Sequence, residues 1–212
     1  MPASNGASRL GRRMFAPNRQ GLYRIRRRCA PVLALCLALG LEACGDTGMP
    51  NFDLSAAYVS GRRPLRAEVA VREPLGPLVL DTRRILVRSG PETLAYLADA
   101  QWSERLPALV RERLVETFRN ADLLRSPPAN EPAAYALELE IRHFELDAQN
   151  RQGVVEIAAK VVNARDGRII AERSFKSAAP AQGTSGPQAT AALDKALSTV
   201  MTEIVAFTAA KI

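Results

Sequence analysis

Beyond position 44 the chain has no cysteine; all three, Cys29, Cys36 and Cys44, lie near its start. The rest of the chain therefore cannot carry a disulfide framework or a thiolate metal site. Histidine is nearly absent too, with His143 alone. Aromatic residues are sparse at 5%, with a single tryptophan, Trp102. No run reaches the roughly 20 apolar residues that a membrane-spanning helix needs. Catalytic signatures are missing as well: there is no G-x-S-x-G elbow, no phosphate-binding P-loop, no G-x-G-x-x-G after a strand and no H-E-x-x-H. His143 stands among Glu138, Glu140 and Glu145. Acids that alternate along a strand read as a solvated face, and a lone strand histidine reads as structural. These absences point away from an enzyme and toward a binding or assembly protein, with no metal and no cofactor.

What the chain does have is charge, and it is unevenly placed. The formal net charge is +7, from 29 basic and 22 acidic residues. Eight of the arginines, but only one acid, Glu42, precede Cys44, so the residues from Cys44 onward hold equal numbers of each sign. A nucleic-acid partner loses its electrostatic support once the excess is assigned to the N-terminal stretch.

That stretch has an architecture of its own. Arg24-Ile-Arg-Arg-Arg28 leads into the twelve-residue apolar run Ala30–Leu41, and Leu41-Glu-Ala-Cys44 follows. A basic segment, a short apolar core and an aliphatic, variable, small, cysteine sequence describe a bacterial lipoprotein signal. Residues 1–43 are expected to be removed as the signal peptide and Cys44 to become the acylated N-terminus. Glu42 is an unusual variable residue in that pattern, and Met14 is an alternative start. Gly45 is not the acidic residue that retains such proteins in the inner membrane, so the expected place is the periplasmic face of the outer membrane, with the inner membrane as the alternative.

Residues 44–75, rich in Gly, Pro, Ser and Arg, read as the lipidated N-terminus and tether, with one short strand at Phe52-Asp-Leu54. A domain is expected over 76–212. Leu78-Val-Leu80 and Arg84-Ile-Leu-Val-Arg88 are short β-type runs. From Ser103, a candidate N-cap, the period turns helical: Leu106, Leu109, Val110, Leu114, Thr117 and Phe118 share a face, and Pro107 falls in the first turn. Tyr135, Leu137, Leu139 and Ile141 alternate as a half-buried strand, and the phase shift to Phe144 and Leu146 predicts a bulge near His143. Val155, Ile157, Ala159 and Val161 form a second strand. Asn163-Ala-Arg-Asp-Gly167 is a hairpin turn that returns Ile169–Phe175 antiparallel. After a small-residue loop over 178–186, Ser185 and Pro187 open a closing helix whose apolar stripe runs from Ala189 to Phe207. The order predicts an α+β fold: a two-layer sandwich, with a mostly antiparallel sheet of about four to six strands and two helices on one face. Tyr96 and Trp102, just ahead of the first helix, read as packing residues first and as a partner surface second.

The order of these features resembles the ABC-type transport auxiliary lipoproteins, which accompany MCE-type lipid transporters. The resemblance rests on Cys44-Gly45, Phe52-Asp-Leu54, Arg84-Ile-Leu-Val-Arg88, and the segment from Tyr96 through Trp102 to Pro107. It continues with the alternating strand Tyr135–Phe144, the return Asp166-Gly167-Arg-Ile-Ile-Ala-Glu-Arg-Ser-Phe175 and the amphipathic C-terminal helix. The resemblance implies a lipid-anchored, non-catalytic periplasmic domain that works with an MCE-domain protein, an ABC permease and an ATPase, as a homo-oligomer in a ring of copies. Such systems move phospholipid or another lipophilic substrate between the inner and outer membranes. Only Cys44 maps onto a defined functional position. Two other readings stay open: an outer-membrane assembly lipoprotein serving lipopolysaccharide or barrel insertion, and a periplasmic hydrolase centred on His143.

Overall fold

The computed structural model describes residues 48–59, 68–123 and 133–212. Cys44, the signal, the break at Gly61–Pro64 and the segment from Ser126 to Pro132 lie outside the described residues. One compact unit runs from Met49 to Ile212, so the fold begins well inside the expected tether. Leu54, Ala57, Val59, Val69 and Val71 are all buried in its core.

The strands are β1 (Asn51–Phe52), β2 (Val69–Val71), β3 (Arg84–Arg88), β4 (Leu94–Trp102), β5 (Tyr135–Asp147), β6 (Gln152–Asn163) and β7 (Ile169–Pro180). The helices are α1 (Leu106–Asn120) and α2 (Gly186–Ala209). All the strands join one sheet in the order β1-β4-β3-β5-β6-β7, with β2 paired to β5 beside β3. The α+β class with two helices is as expected, but the sheet has seven strands and is mixed. β1–β4, β2–β5 and β3–β5 are parallel; β3–β4, β5–β6 and β6–β7 are antiparallel. The parallel pairing of β3 with β5 follows from what lies between them: β4 and α1 form the crossover that a parallel pair requires.

The long meander β5–β6–β7 carries the alternation read from the sequence. Leu137, Leu139 and Ile141 on β5 and Val155, Ile157, Ala159 and Val161 on β6 are buried. The β5–β6 register slips between Ile141 and His143, which moves the buried phase to Phe144 and Leu146. Gly167 turns the next hairpin with φ +70°, where a side chain would be strained. β7 continues to Pro180, through residues expected to form a loop.

Both helices sit in the same core. The apolar faces of α1 and α2 are buried as their periodicity requires, and they meet where the Thr117 hydroxyl lies 3.6 Å from Met201 Sδ. Three local expectations shift. Arg105, not Ser103, occupies the N-cap of α1, without a side-chain cap, and Pro107 lies in the first turn. Leu78-Val-Leu80 forms a turn rather than a strand, closed by the Leu80 N–H donating to the Pro77 carbonyl at 2.9 Å. The segment from Leu94 to Trp102, read only as the lead-in to a helix, is the strand β4.

Candidate functional site

The described residues offer two regions with unusual chemistry, both on or beside β5. The first is a groove. β2 extends past Val71 along β5, with the Leu75 N–H donating to the Leu139 carbonyl at 2.9 Å and the Ile141 N–H donating back to the Leu75 carbonyl at 2.8 Å. Gly76 then turns the chain away; a Cβ there would lie 2.9 Å from the Ile141 carbonyl oxygen, which leaves no room for a side chain. The excursion from Gly76 to Arg83 leaves an open groove of about 510 Å³ along the sheet, lined in part by Leu75, Pro77, Glu138, Glu140 and Lys160. Leu75 and Leu78 protrude beside it, 77% and 89% exposed.

The second region is the cluster around the only histidine. The Arg88 guanidinium donates to both oxygens of Glu145, Nε to Oε1 at 2.7 Å and Nη2 to Oε2 at 3.1 Å. Glu145 is buried, and His143 Nδ1 lies 3.3 Å from its Oε1. The hydrogen bond to Glu145 holds the Arg88 guanidinium above its ordinary pKa, against the smaller effect of burial. A two-pronged clamp on a buried carboxylate is a structural arrangement. It ties β3 to β5 across a parallel pairing of only three residues.

The two aromatics singled out from the sequence have different surroundings. Trp102 is only 1% exposed and meets Phe144 edge-on, so it belongs to the core rather than to a surface. Tyr96 is half-buried; its hydroxyl donates to the Val79 carbonyl at 3.1 Å, and the Arg84 guanidinium lies 4.3 Å from its ring centroid. It pins the Gly76–Arg83 excursion to β4. Leu94 is exposed, Leu97 half-buried and Val205 buried. The structure does not bring Tyr96 and Trp102 together with His143 in one site. The groove was not apparent in the sequence, although Pro74-Leu-Gly-Pro-Leu78, apolar yet broken by turn residues, is the stretch that builds it. Among the described residues no group of three or more His, Cys, Asp and Glu side chains is placed to hold a metal ion.

Among the described residues the fold is a mixed seven-stranded sheet backed by two helices. Residues 52–205 match the model of the ABC-type transport auxiliary lipoprotein component family, and the chain belongs to that family. It is 27% identical over 179 residues to an uncharacterized protein of Bradyrhizobium diazoefficiens, a match that takes in 80% of this chain. The matched region spans about half the length of that relative, 48%. Among solved structures, protein XCC0632 from Xanthomonas campestris shares the fold with a TM-score of 0.68 and 24% identity, over 74% of this chain and 92% of that one. A second, described only as an uncharacterized protein, aligns with a TM-score of 0.56 and 12% identity, over 73% and 99%. Family membership makes the protein a membrane-anchored lipoprotein of the cell envelope.

Proposed function

We propose that the protein is the lipid-anchored docking component of an MCE-type ABC transport system, one that moves phospholipid or another lipophilic substrate between the inner and outer membranes. The observation that carries this reading is the family match across residues 52–205, which takes in every strand from β2 to β7 and most of α2. In this reading Cys44 carries the acyl chains, the anchor lies in the periplasmic face of the outer membrane, and the domain catalyses nothing. Its partners are an MCE-domain protein, a permease and an ATPase.

The test is recovery of partners. The tagged full chain, extracted in mild detergent and analysed by mass spectrometry, is expected to bring down an MCE-domain protein together with the permease and ATPase. Recovery of barrel-assembly or lipopolysaccharide-assembly proteins alone would overturn the proposal.

A further inference from the structure

The excursion from Gly76 to Arg83 presents leucine to solvent on a braced turn. Leu80 is buried, the Asp81 N–H donates to the Leu78 carbonyl at 3.1 Å, and the Tyr96 hydroxyl holds the Val79 carbonyl. Between these fixed points Leu78 projects as the most exposed large apolar side chain of the described residues, with Leu75 exposed where the excursion begins. Scattered apolar side chains are ordinary on a surface, but these two share one short segment with cations. Arg83 donates to the Trp102 carbonyl at 3.1 Å and to Asn51 Oδ1 at 2.9 Å, and Arg84 lies over the Tyr96 ring. Both arginines are exposed, and none of those partners is a carboxylate. The acids nearby, Asp81 and Glu73, are both engaged by Arg105.

From this arrangement we infer that the excursion is a second point of membrane contact: Leu78 enters the interface of the phospholipid leaflet that holds the acyl chains, and Arg83 and Arg84 meet lipid phosphates. The inference rests on the anchor at Cys44. Five peptide units separate Cys44 from Met49, so the anchor lies within about 18 Å of the start of the compact unit. The first strand of that unit is the one Arg83 grips through Asn51. The base of the excursion and the point where the tether enters the fold are therefore neighbours. Two leucines are far too little for a stable protein interface, which buries about 800 Å² on each side. A leaflet needs no matching shape, and the tether supplies the local concentration that so small an apolar area lacks. Arginine beside leucine suits that boundary, since a guanidinium reaches phosphate while its stem lies along the apolar layer. Glu138 and Glu140 line the groove beside Leu75, and acids are unfavourable at an anionic surface. The contact is therefore made tip-first, with Leu78 in the leaflet, Leu75 at its border and the groove in water. A tether alone leaves the domain free to turn; a second contact fixes which face looks away from the membrane.

The test uses residues 49–212, which close their own core and contain no cysteine. An N-terminal hexahistidine tag holds them on vesicles of phosphatidylethanolamine and phosphatidylglycerol that carry a nickel-chelating lipid. Leu78→Cys, Tyr58→Cys and Asp166→Cys each take one environment-sensitive fluorophore, and thermal unfolding of each labelled unit checks that the fold is intact. Tyr58 is exposed and close to the tether in sequence but lies on the helix side, where the Ala57 N–H donates to Thr117 Oγ1. Asp166 sits in the turn between β6 and β7. On vesicles the label at position 78 is expected to move to shorter wavelength, to be quenched by nitroxide on the lipid tails and to lose its quenching by iodide. Labels at positions 58 and 166 are expected to stay in water. Adding Arg84→Gln is expected to reduce the lipid quenching at position 78, and an undiminished signal would overturn the phosphate contact. Equal exposure of all three labels, or protection of position 78 only after envelope proteins are added, would overturn the inference. Because the tag replaces the lipid, this outcome is separate from that of Cys44. Insertion by the tagged unit with no fatty acid on the full chain supports the contact and overturns the anchor; a full chain acylated at Cys44 whose position 78 stays in water overturns the contact alone.

Discussion

Gly153 on β6 lies directly against the backbone of α2 at Ala192: a Cβ added to it would come within 2.7 Å of the Ala192 carbonyl carbon and of the Leu193 nitrogen. No side-chain rotation relieves a clash with main chain. The absent side chain is therefore what lets the closing helix seat on the meander. Replacing Gly153 with alanine forces the helix outward and is expected to cost about 1–3 kcal/mol, the usual range for overpacking a core. Urea unfolding followed by circular dichroism measures it, and Gly153→Val should cost more. An alanine variant as stable as the parent would show that α2 can shift without loss.

Trp102 and Phe144 pack close by in the same core, Phe144 lying two residues along β5 from Leu146, which stands opposite Gly153. Their ring centroids lie 5.8 Å apart at an interplanar angle of 85°, the edge-to-face geometry favoured by aromatic quadrupoles. Phe144 reaches this contact because the slip after Ile141 changes which β5 side chains face inward. Phe144→Ala is expected to destabilise the domain by about 3–5 kcal/mol. Trp102 is the only tryptophan in the chain, so its emission reports the change directly. The folded parent should emit at short wavelength and shift to the red on unfolding, and the Phe144→Ala midpoint should fall well below the parent's. Phe144→Leu, which keeps most of the volume, should lose less.

How much of this was readable from residues alone depended on whether a segment's partner lay nearby in sequence. β5, β6 and β7 are joined by tight turns, and β5 and β6 alternate cleanly, so Leu137 and Ile157 could be placed inside before any fold was known. The slip at His143 was equally legible, because it inverts a long alternation. β2 was not: Val69-Ala-Val71 is three residues in a stretch crowded with proline and arginine, and its partner, Tyr135–Leu137, is far along the chain. β4 hid for a different reason. Covered by β1 only at Gln101 and Trp102 and held mainly by the short β3, it is buried only at Ala100 and Trp102, so no period-two pattern is imposed on Leu94–Asp99. The groove beside Leu75 arises from where the chain leaves β5, and such a departure has no periodic signal.

Acid should weaken the fold through groups that the structure identifies. Asp147 ends β5 and accepts hydrogen bonds from the Asn150 N–H at 3.0 Å and from Asn150 Nδ2 at 2.7 Å. The backbone bond, then the side-chain bond, hold its carboxyl below the ordinary range against a smaller opposing effect of burial. For Glu156 burial pushes the pKa up, but the Lys176 hydrogen bond and charge prevail and the net shift is downward. A carboxyl whose folded pKa is depressed binds fewer protons folded than unfolded, so stability rises with pH across that range. The contribution is fully present above the unfolded values, about 3.9 for Asp and 4.3 for Glu, and drains away as pH falls through the folded ones. Melting temperature is therefore expected to hold near neutrality and to fall below about pH 4. Asp147→Asn should flatten part of that fall, and an unchanged slope would remove Asp147 from the account.

Cys44 supplies the anchor in the proposed function, and its replacement separates anchoring from folding. Each buried methylene of an acyl chain contributes about 0.8 kcal/mol to membrane binding, so one chain holds only marginally and several on one cysteine hold firmly. The twelve-residue apolar run before it is too short to span the membrane as a substitute. Cys44→Ser is expected to leave an unacylated, uncleaved precursor, seen as a larger band that takes up no label from an alkyne fatty acid. Cys36→Ser, which alters a residue inside the apolar run, is expected to leave labelling intact. Glu42→Ser, which gives the variable position a small uncharged side chain, should raise the processed fraction. The compact unit begins only at Met49, so none of these changes should move the thermal midpoint of the domain. Label that persists on Cys44→Ser would sink the assignment of the anchor to this residue, whatever the transport partners prove to be.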